Sequence, residues 1–260
     1  MSLTIASVTP TLCRLFRVTP PSVCSEKPIG LHLEQAAPAL VSRALVFVAD
    51  AIGTHLVRSN EDVFTPVIYH APLRIEVRSV MPSITPVCMA SMFTGAMPEV
   101  HGNRTTDRRV LSCDTIFDAF DRAGRKIAVA TVQGSSIDLI FRNRPMDSFP
   151  ETYDPEVTQR AHALLEKDEH DLIVVYQQEY DDRMHATAPR SPEALRALYH
   201  HIESFDALAS AARARWAGSL HVVAFLSDHG VHVDPQTGRG DHGSDLPEDL
   251  EVTHFWGIHR

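Results

Sequence analysis

Seven residues have the types needed for a two-metal hydrolytic site: Asp50, Thr85, Asp181, His185, Asp228, His229 and His242. Carboxylates, imidazoles and a hydroxyl are ligands that zinc or manganese takes. Each of the seven falls just past an apolar, strand-like run or in a glycine-marked loop. The three Asp and a Thr85 alkoxide would balance the charge of two divalent cations, as a low-dielectric site requires.

The segment Met81-Pro-Ser-Ile-Thr85-Pro86 has its own mechanics. Pro86 disfavours helical backbone at Thr85 and itself suits a first helical turn, so Thr85 is expected to be the N-cap of a helix stopped by Gly95. A hydroxyl there sits in positive potential, which favours its alkoxide and an anionic substrate. Taken alone, the segment is better explained by a threonine that only caps the helix, since such caps are common. Asp181 and His185 are four apart, so on a helical turn they share a face and can clamp one ion; Asp182 is the alternative one residue on. Asp228 and His229 follow an apolar run abruptly, with Gly230 to permit the turn. His242 lies in the loop Gly238-Arg-Gly-Asp241-His242-Gly243, where Asp241 is the alternative ligand.

These residues need elements to hold them. Ala44–Ala49, Ile127–Val132, Leu172–Tyr176 and His221–Leu226 are short apolar runs of the kind found in strands covered on both faces. Leu73–Val77 alternates like an edge strand, and Val252–Ile258 reads as a last strand. Helical patterns cover 86–94, 114–123, 155–167 and 191–215, and a short one is expected over 30–43. Strands alternating with helices predict an α/β fold with a doubly wound, mostly parallel sheet and helices on both faces. Ligands of such folds bind beyond the carboxyl ends of the strands, where all seven residues can be placed. Residues 1–28, with two Thr-Pro pairs and a Pro-Pro, read as an extended leader; 29–260 reads as one domain.

Composition narrows the partners. A net charge of −9 argues against a nucleic-acid polymer, which needs basic clusters. No run approaches the length of a membrane span. The cysteines Cys13, Cys24, Cys88 and Cys113 form no CxxC pair and are expected to be free thiols in a reducing, cytoplasmic compartment.

Taken in order, the pieces resemble the alkaline phosphatase superfamily, in its type I phosphodiesterase/nucleotide pyrophosphatase branch. They are Val48-Ala-Asp50-Ala-Ile-Gly53, Thr85 with Thr94-Gly95, Pro98-Glu-Val-His101-Gly102, Asp181 with His185, Ser227-Asp-His-Gly230, and Gly240-Asp-His242-Gly243. The resemblance covers residues 44–260 and implies an alkaline-phosphatase-like core with minimal insertions. It implies two divalent metals, zinc first and manganese second. Asp50, Thr85, Asp228 and His229 would hold one, and Asp181, His185 and His242 the other. Thr85 would attack the phosphorus of a small-molecule phosphodiester. A phosphomonoesterase, a phosphonate hydrolase or a non-catalytic metal-binding relative would use the same ligands.

The resemblance also implies an Asn three residues after the nucleophile, to bind a phosphoryl oxygen. Cys88, a poor donor, stands there. Room for a substrate-covering insertion exists only at Thr105–Arg109 and Phe141–Pro155. Arg142, Arg144 and Arg183 are candidates to meet a substrate anion, though solvated surface arginines would look the same. A sulfatase is disfavoured, because Cys88-Met-Ala-Ser-Met92 lacks the arginine of the sulfatase pattern and is not at the nucleophile position.

Overall fold

The continuous apolar runs become the centre of one sheet. In the computed structural model, which describes residues 3–31 and 41–260, the strands are β1 (Arg43–Ala49), β2 (Leu73–Arg78), β3 (Ile127–Val132), β4 (Asp147–Glu151), β5 (Leu172–Gln177), β6 (His221–Leu226), β7 (His232–Val233), β8 (Gly240–Asp241) and β9 (Glu251–His259). Seven form a sheet in the order β2-β9-β6-β1-β5-β3-β4, while β7 and β8 make a small hairpin. Strands β6, β1, β5, β3 and β4 are mutually parallel, and β9 runs against both β6 and β2. The sheet is thus mostly parallel, as the alternation of strands and helices predicts.

The helices are α1 (Val8–Phe16), α2 (Thr54–Ser59), α3 (Thr65–His70), α4 (Thr85–Thr94), α5 (Pro98–His101), α6 (Ile116–Arg122), α7 (Ser136–Ile140), α8 (Asp154–Lys167), α9 (Glu179–Ala186), α10 (Pro192–Arg215) and α11 (Pro247–Leu250). They cover both faces. Ala44, Val46 and Val48 of β1 join a core with α1, α4, α6 and α7, whereas Leu45, Phe47 and Ala49 join a second core with α2, α3, α8 and α10. Burial on both sides is why this strand reads as an unbroken apolar run. Among the described residues no helix is long and apolar enough to cross a membrane.

The N-terminal segment departs from the extended reading. Ile5–Ser7 form a 3-10 turn that leads into α1, and Ile5, Val8, Leu12, Leu15 and Phe16 are buried. Pro10 falls in the first turn of α1, where its missing N–H breaks no helical bond. Thr9 Oγ1 donates to the Met92 carbonyl (2.7 Å), fixing α1 on α4. The helix expected over 30–43 falls largely outside the described residues.

The two candidate insertions turn out differently. Part of Phe141–Pro155, a candidate insertion, is the edge strand β4, with Pro150 tolerated because β4 pairs only with β3. Thr105–Arg109 does lie in an irregular, exposed loop, beside a cavity of about 340 Å³ lined by His101, Asn103 and Arg104.

Candidate metal centre

Strands β6, β1 and β5 are neighbours, and each ends in polar chain at the same edge of the sheet. Asp50 follows β1, Asp228 and His229 follow β6, and Asp181 and His185 lie on α9, which begins just beyond β5. Helix α4 brings Thr85 in from one face, and the loop after β8 brings His242. Backbone amides bound to side-chain oxygens knit these turns together: Ile52 N donates to Ser227 Oγ (2.8 Å), and Ala51 N to Asp228 Oδ1 (3.3 Å).

All seven side chains meet. Thr85 Oγ1 lies 3.4 Å from Asp50 Oδ2 and 3.3 Å from His229 Nε2. His229 Nε2 is 3.4 Å from both Asp50 Oδ1 and Asp228 Oδ2. Asp181 Oδ1 is 3.4 Å from His185 Nε2 and from His242 Nε2. Donor atoms of Asp181, His185 and His242 all lie within 4.8 Å of one another, and so do those of Asp50, Asp181 and His229. Asp181 meets His185 and His242 directly and is also within reach of the other group. The alternatives separate: Asp182 turns away to accept from Tyr153 (2.6 Å), and Asp241 is exposed and accepts from the His242 amide (2.9 Å).

The residues fit a bound cation. Asp50 Oδ1, Asp181 Oδ1 and Asp228 Oδ2 are buried without any hydrogen-bond partner, and each is an oxygen of the cluster. Buried carboxylate oxygens are normally satisfied, so three convergent orphans point to a ligand that accepts lone pairs. The imidazoles are oriented for the same task. Nδ1 of His185 meets the Gly240 carbonyl (3.0 Å), that of His229 the Gly230 carbonyl (3.1 Å) and that of His242 the Ser83 carbonyl (2.9 Å). A carbonyl only accepts, so each Nδ1 carries the proton and each Nε2 presents its lone pair to the cluster.

Burial and mutual charge perturb these groups strongly. Burial, then Asp228 and Asp181, pushes the Asp50 carboxyl far up. Burial raises Asp228 to about 7, with Asp181 adding to the rise. Asp181 goes the other way: burial opposes the shift, but His242, His229 and His185 hold it below the usual range. His229 is driven down to about 3 by burial and His242.

Thr85 is the first residue of α4 rather than its N-cap, since the extended cap position is Ile84. Its hydroxyl is thereby free for Asp50 and His229. Gly95 does end the helix in the left-handed region (φ 71°). Cys88 is fully buried; its Sγ meets Ser79 Oγ (3.2 Å), which donates to the Asp228 carbonyl (2.5 Å). It is linked through Ser79 to the backbone of Asp228 and is closed to solvent. Arg142 and Arg144 are paired with Asp138 (3.3 Å) and Asp118 (2.9 Å), and Arg183 approaches Glu179 (3.7 Å).

Two contributors escaped the sequence reading. Tyr176, buried at the end of β5, donates its hydroxyl to Asp50 Oδ2. Asn103 donates Nδ2 to the carbonyl of Pro86 (2.9 Å), the residue that follows Thr85. Its only signal was a polar side chain just after the Gly102 helix stop.

Close backbone packing behind the ligands sets a further expectation. A Cβ on Gly230 would run into the Glu248 carbonyl oxygen and the Gly53 Cα, and the Gly230 N–H is held by the Asp249 carbonyl (2.8 Å). Gly230→Ala should cost about 1–3 kcal/mol in urea or thermal unfolding. Gly30→Ala, at a position with open space, should be near neutral; equal effects would refute the packing argument.

Comparison with known proteins agrees with this architecture. Residues 45–252 match the sequence model of the type I phosphodiesterase/nucleotide pyrophosphatase family. Human ectonucleotide pyrophosphatase/phosphodiesterase 5 superposes with a TM-score of 0.64 at 13% identity, over 84% of this chain and 87% of that one. An inactive threonine-to-alanine variant of the murine protein, in complex with AMP, gives 0.58 at 16% identity, over 75% and 59%. Phosphonoacetate hydrolase from Sinorhizobium meliloti, in complex with phosphonoacetate, gives 0.54 at 20% identity; 73% of this chain covers 56% of that protein, little more than half its length. A search of curated proteins returns no match. At these identities the structures speak to the fold, and the family assignment rests on the sequence match across most of the chain: the chain belongs to the type I phosphodiesterase/nucleotide pyrophosphatase family.

Proposed function

We propose that this chain hydrolyses small-molecule phosphoric diesters through a Thr85 nucleophile, with two divalent metals, zinc first and manganese second, held by Asp50, Thr85, Asp228 and His229 and by Asp181, His185 and His242. The observation that carries the reading is the convergence of three partnerless buried carboxylate oxygens and three Nε2 atoms in one cluster, with the Thr85 hydroxyl against its Asp50 and His229 members. Bound cations would supply electrostatic stabilisation of the entering and leaving oxygens.

The chain's own groups do the rest. Thr85 Oγ1 forms the bond to phosphorus as the ester P–O bond breaks and the alcohol leaves. The Thr85 proton has Asp50 Oδ2 as its carboxylate acceptor, 3.4 Å away. Water then cleaves the phosphothreonine, releasing the phosphomonoester and restoring the hydroxyl. Helix α4 offers few free amides to a phosphoryl oxygen, because Pro86 has none and Val87 and Cys88 both donate to Ile84. Asn103, one N–H of whose amide holds the Pro86 carbonyl, would offer its other N–H as the donor that Cys88 is not.

The test is hydrolysis of a chromogenic phosphodiester beside a phosphomonoester, with zinc or manganese added. Faster diester cleavage is expected. A monoester preference would overturn the substrate class and leave the ligand set standing. Silence on both, with metal measured in the sample, would favour a metal-binding protein without turnover.

A further inference from the structure

The turn that delivers Asp181 is gripped from behind by two buried side chains of other helices. Residues Gln178, Glu179 and Tyr180 open α9, and the first amides of a helix have no partner within it. No side chain of the turn itself caps them. Instead Asp154, at the start of α8, takes two: Gln178 N donates to Oδ1 (3.1 Å) and Glu179 N to Oδ2 (2.9 Å). His201, from the middle of α10, takes the third, Tyr180 N donating to Nε2 (3.1 Å). Both are nearly sealed from solvent, at 4% and 0% exposure.

The tautomer of His201 is fixed as well. Its Nδ1 lies 3.0 Å from Gln177 Oε1, an oxygen that can only accept, so Nδ1 bears the proton and Nε2 is free to accept. Gln177 closes the ring, its Nε2 donating to the Asp154 carbonyl (3.0 Å) and to Thr158 Oγ1 (2.7 Å). Burial drives the His201 imidazole down to about 3, which keeps it in the neutral, accepting form. Asp182 N donates to the Gln178 carbonyl (3.1 Å), so the α-helical ladder starts from a turn whose preceding amides are already fixed.

We infer that Asp154 and His201 are positioning residues for the metal centre, setting the place of Asp181 and His185 by clamping the three amides that begin α9. The inference rests on the proposed two-metal reading. Neither residue touches the cluster. Their cost, a buried carboxylate raised to about 7 by desolvation, is one that a purely apolar packing of α8 and α10 would avoid. Outer-shell partners of metal ligands typically govern affinity by about 10–100-fold.

The experiment is stepwise zinc and manganese binding by titration calorimetry, with metal content after dialysis, on the full chain. Wild type is expected to bind two ions. Asp154→Ala and His201→Leu should weaken one ion by about 10–100-fold. His201→Gln, whose amide oxygen can reach the place of Nε2, should recover most of the loss. His185→Ala serves as the marker for loss of the same ion, and retention of the other ion shows that each variant is folded. Equal weakening by His201→Gln and His201→Leu, or two ions bound with wild-type affinity by both Asp154→Ala and His201→Leu, would overturn the inference. A wild-type chain that binds no metal would instead overturn the two-metal reading.

Discussion

Replacing Thr85 by alanine is expected to lower kcat by at least about 10³-fold while zinc remains bound, the scale on which nucleophile deletions act. The hydroxyl touches only Asp50 Oδ2 and His229 Nε2, at 3.4 and 3.3 Å, both long for hydrogen bonds. Little folding energy is therefore at stake, and alanine is the better helix former at the first position of α4. The melting temperature of the cation-free variant should stay within a few degrees of wild type. Six other ligand side chains remain, so metal content should persist. Thr85→Ser keeps an oxygen and should retain part of the rate. Intact turnover in Thr85→Ala would sink the covalent route, and would shift attention to direct attack by water.

How far the sequence speaks depends on what its neighbours do to each segment. Strands β1, β3, β5 and β6 were legible because both their faces are buried, which leaves an apolar run with sharp ends. The edge strand β2 was legible from its alternation. Strand β4, Asp-Ser-Phe-Pro-Glu, was not: its one partner and one Pro leave no pattern that distinguishes it from loop. Helix α1 carries apolar residues at 8, 12, 15 and 16, a helical spacing that its Thr9-Pro10 pair obscured.

The site divides the same way. Strand-end acids and the four-residue spacing of Asp181 and His185 follow from local geometry. The choice of Asp181 over Asp182 does not; Tyr153 and His242, 28 and 61 residues away, make it. Likewise Asn103 reaches the Pro86 carbonyl only because the loop after α5 folds back on α4, and the burial of Cys88 against Ser79 is a contact between separate segments. Asp154 and His201 could not have been singled out, since what they grip is backbone.

The second large effect has opposite signs for function and stability. Asp228→Asn should abolish tight metal binding and with it turnover, yet make the cation-free chain more stable above neutral pH. Asp228 is fully buried, and desolvation lifts its carboxyl to about 7, against about 3.9 for an unfolded aspartate. Folding therefore takes up a proton between those values, and stability is greatest below about 4 and lost as pH rises through about 7. Asp50, raised in the same way, adds to that slope. The amide of Asp228→Asn keeps an oxygen for the Ala51 N–H and can donate to Asp50, so it removes the buried charge without orphaning its partners. At pH 8 without metal the gain should reach up to about 4 kcal/mol, the linkage limit for a shift of that size, and nearly vanish at pH 4. Thermal unfolding at the two pH values, with and without zinc, reads every arm. Wild type should be stabilised strongly by zinc at pH 8 and the variant hardly at all. A variant less stable than wild type at pH 8 without metal would mean that the Asp228 carboxylate is held by more than the Ala51 N–H and Asp50, and that the centre is not poised for a cation.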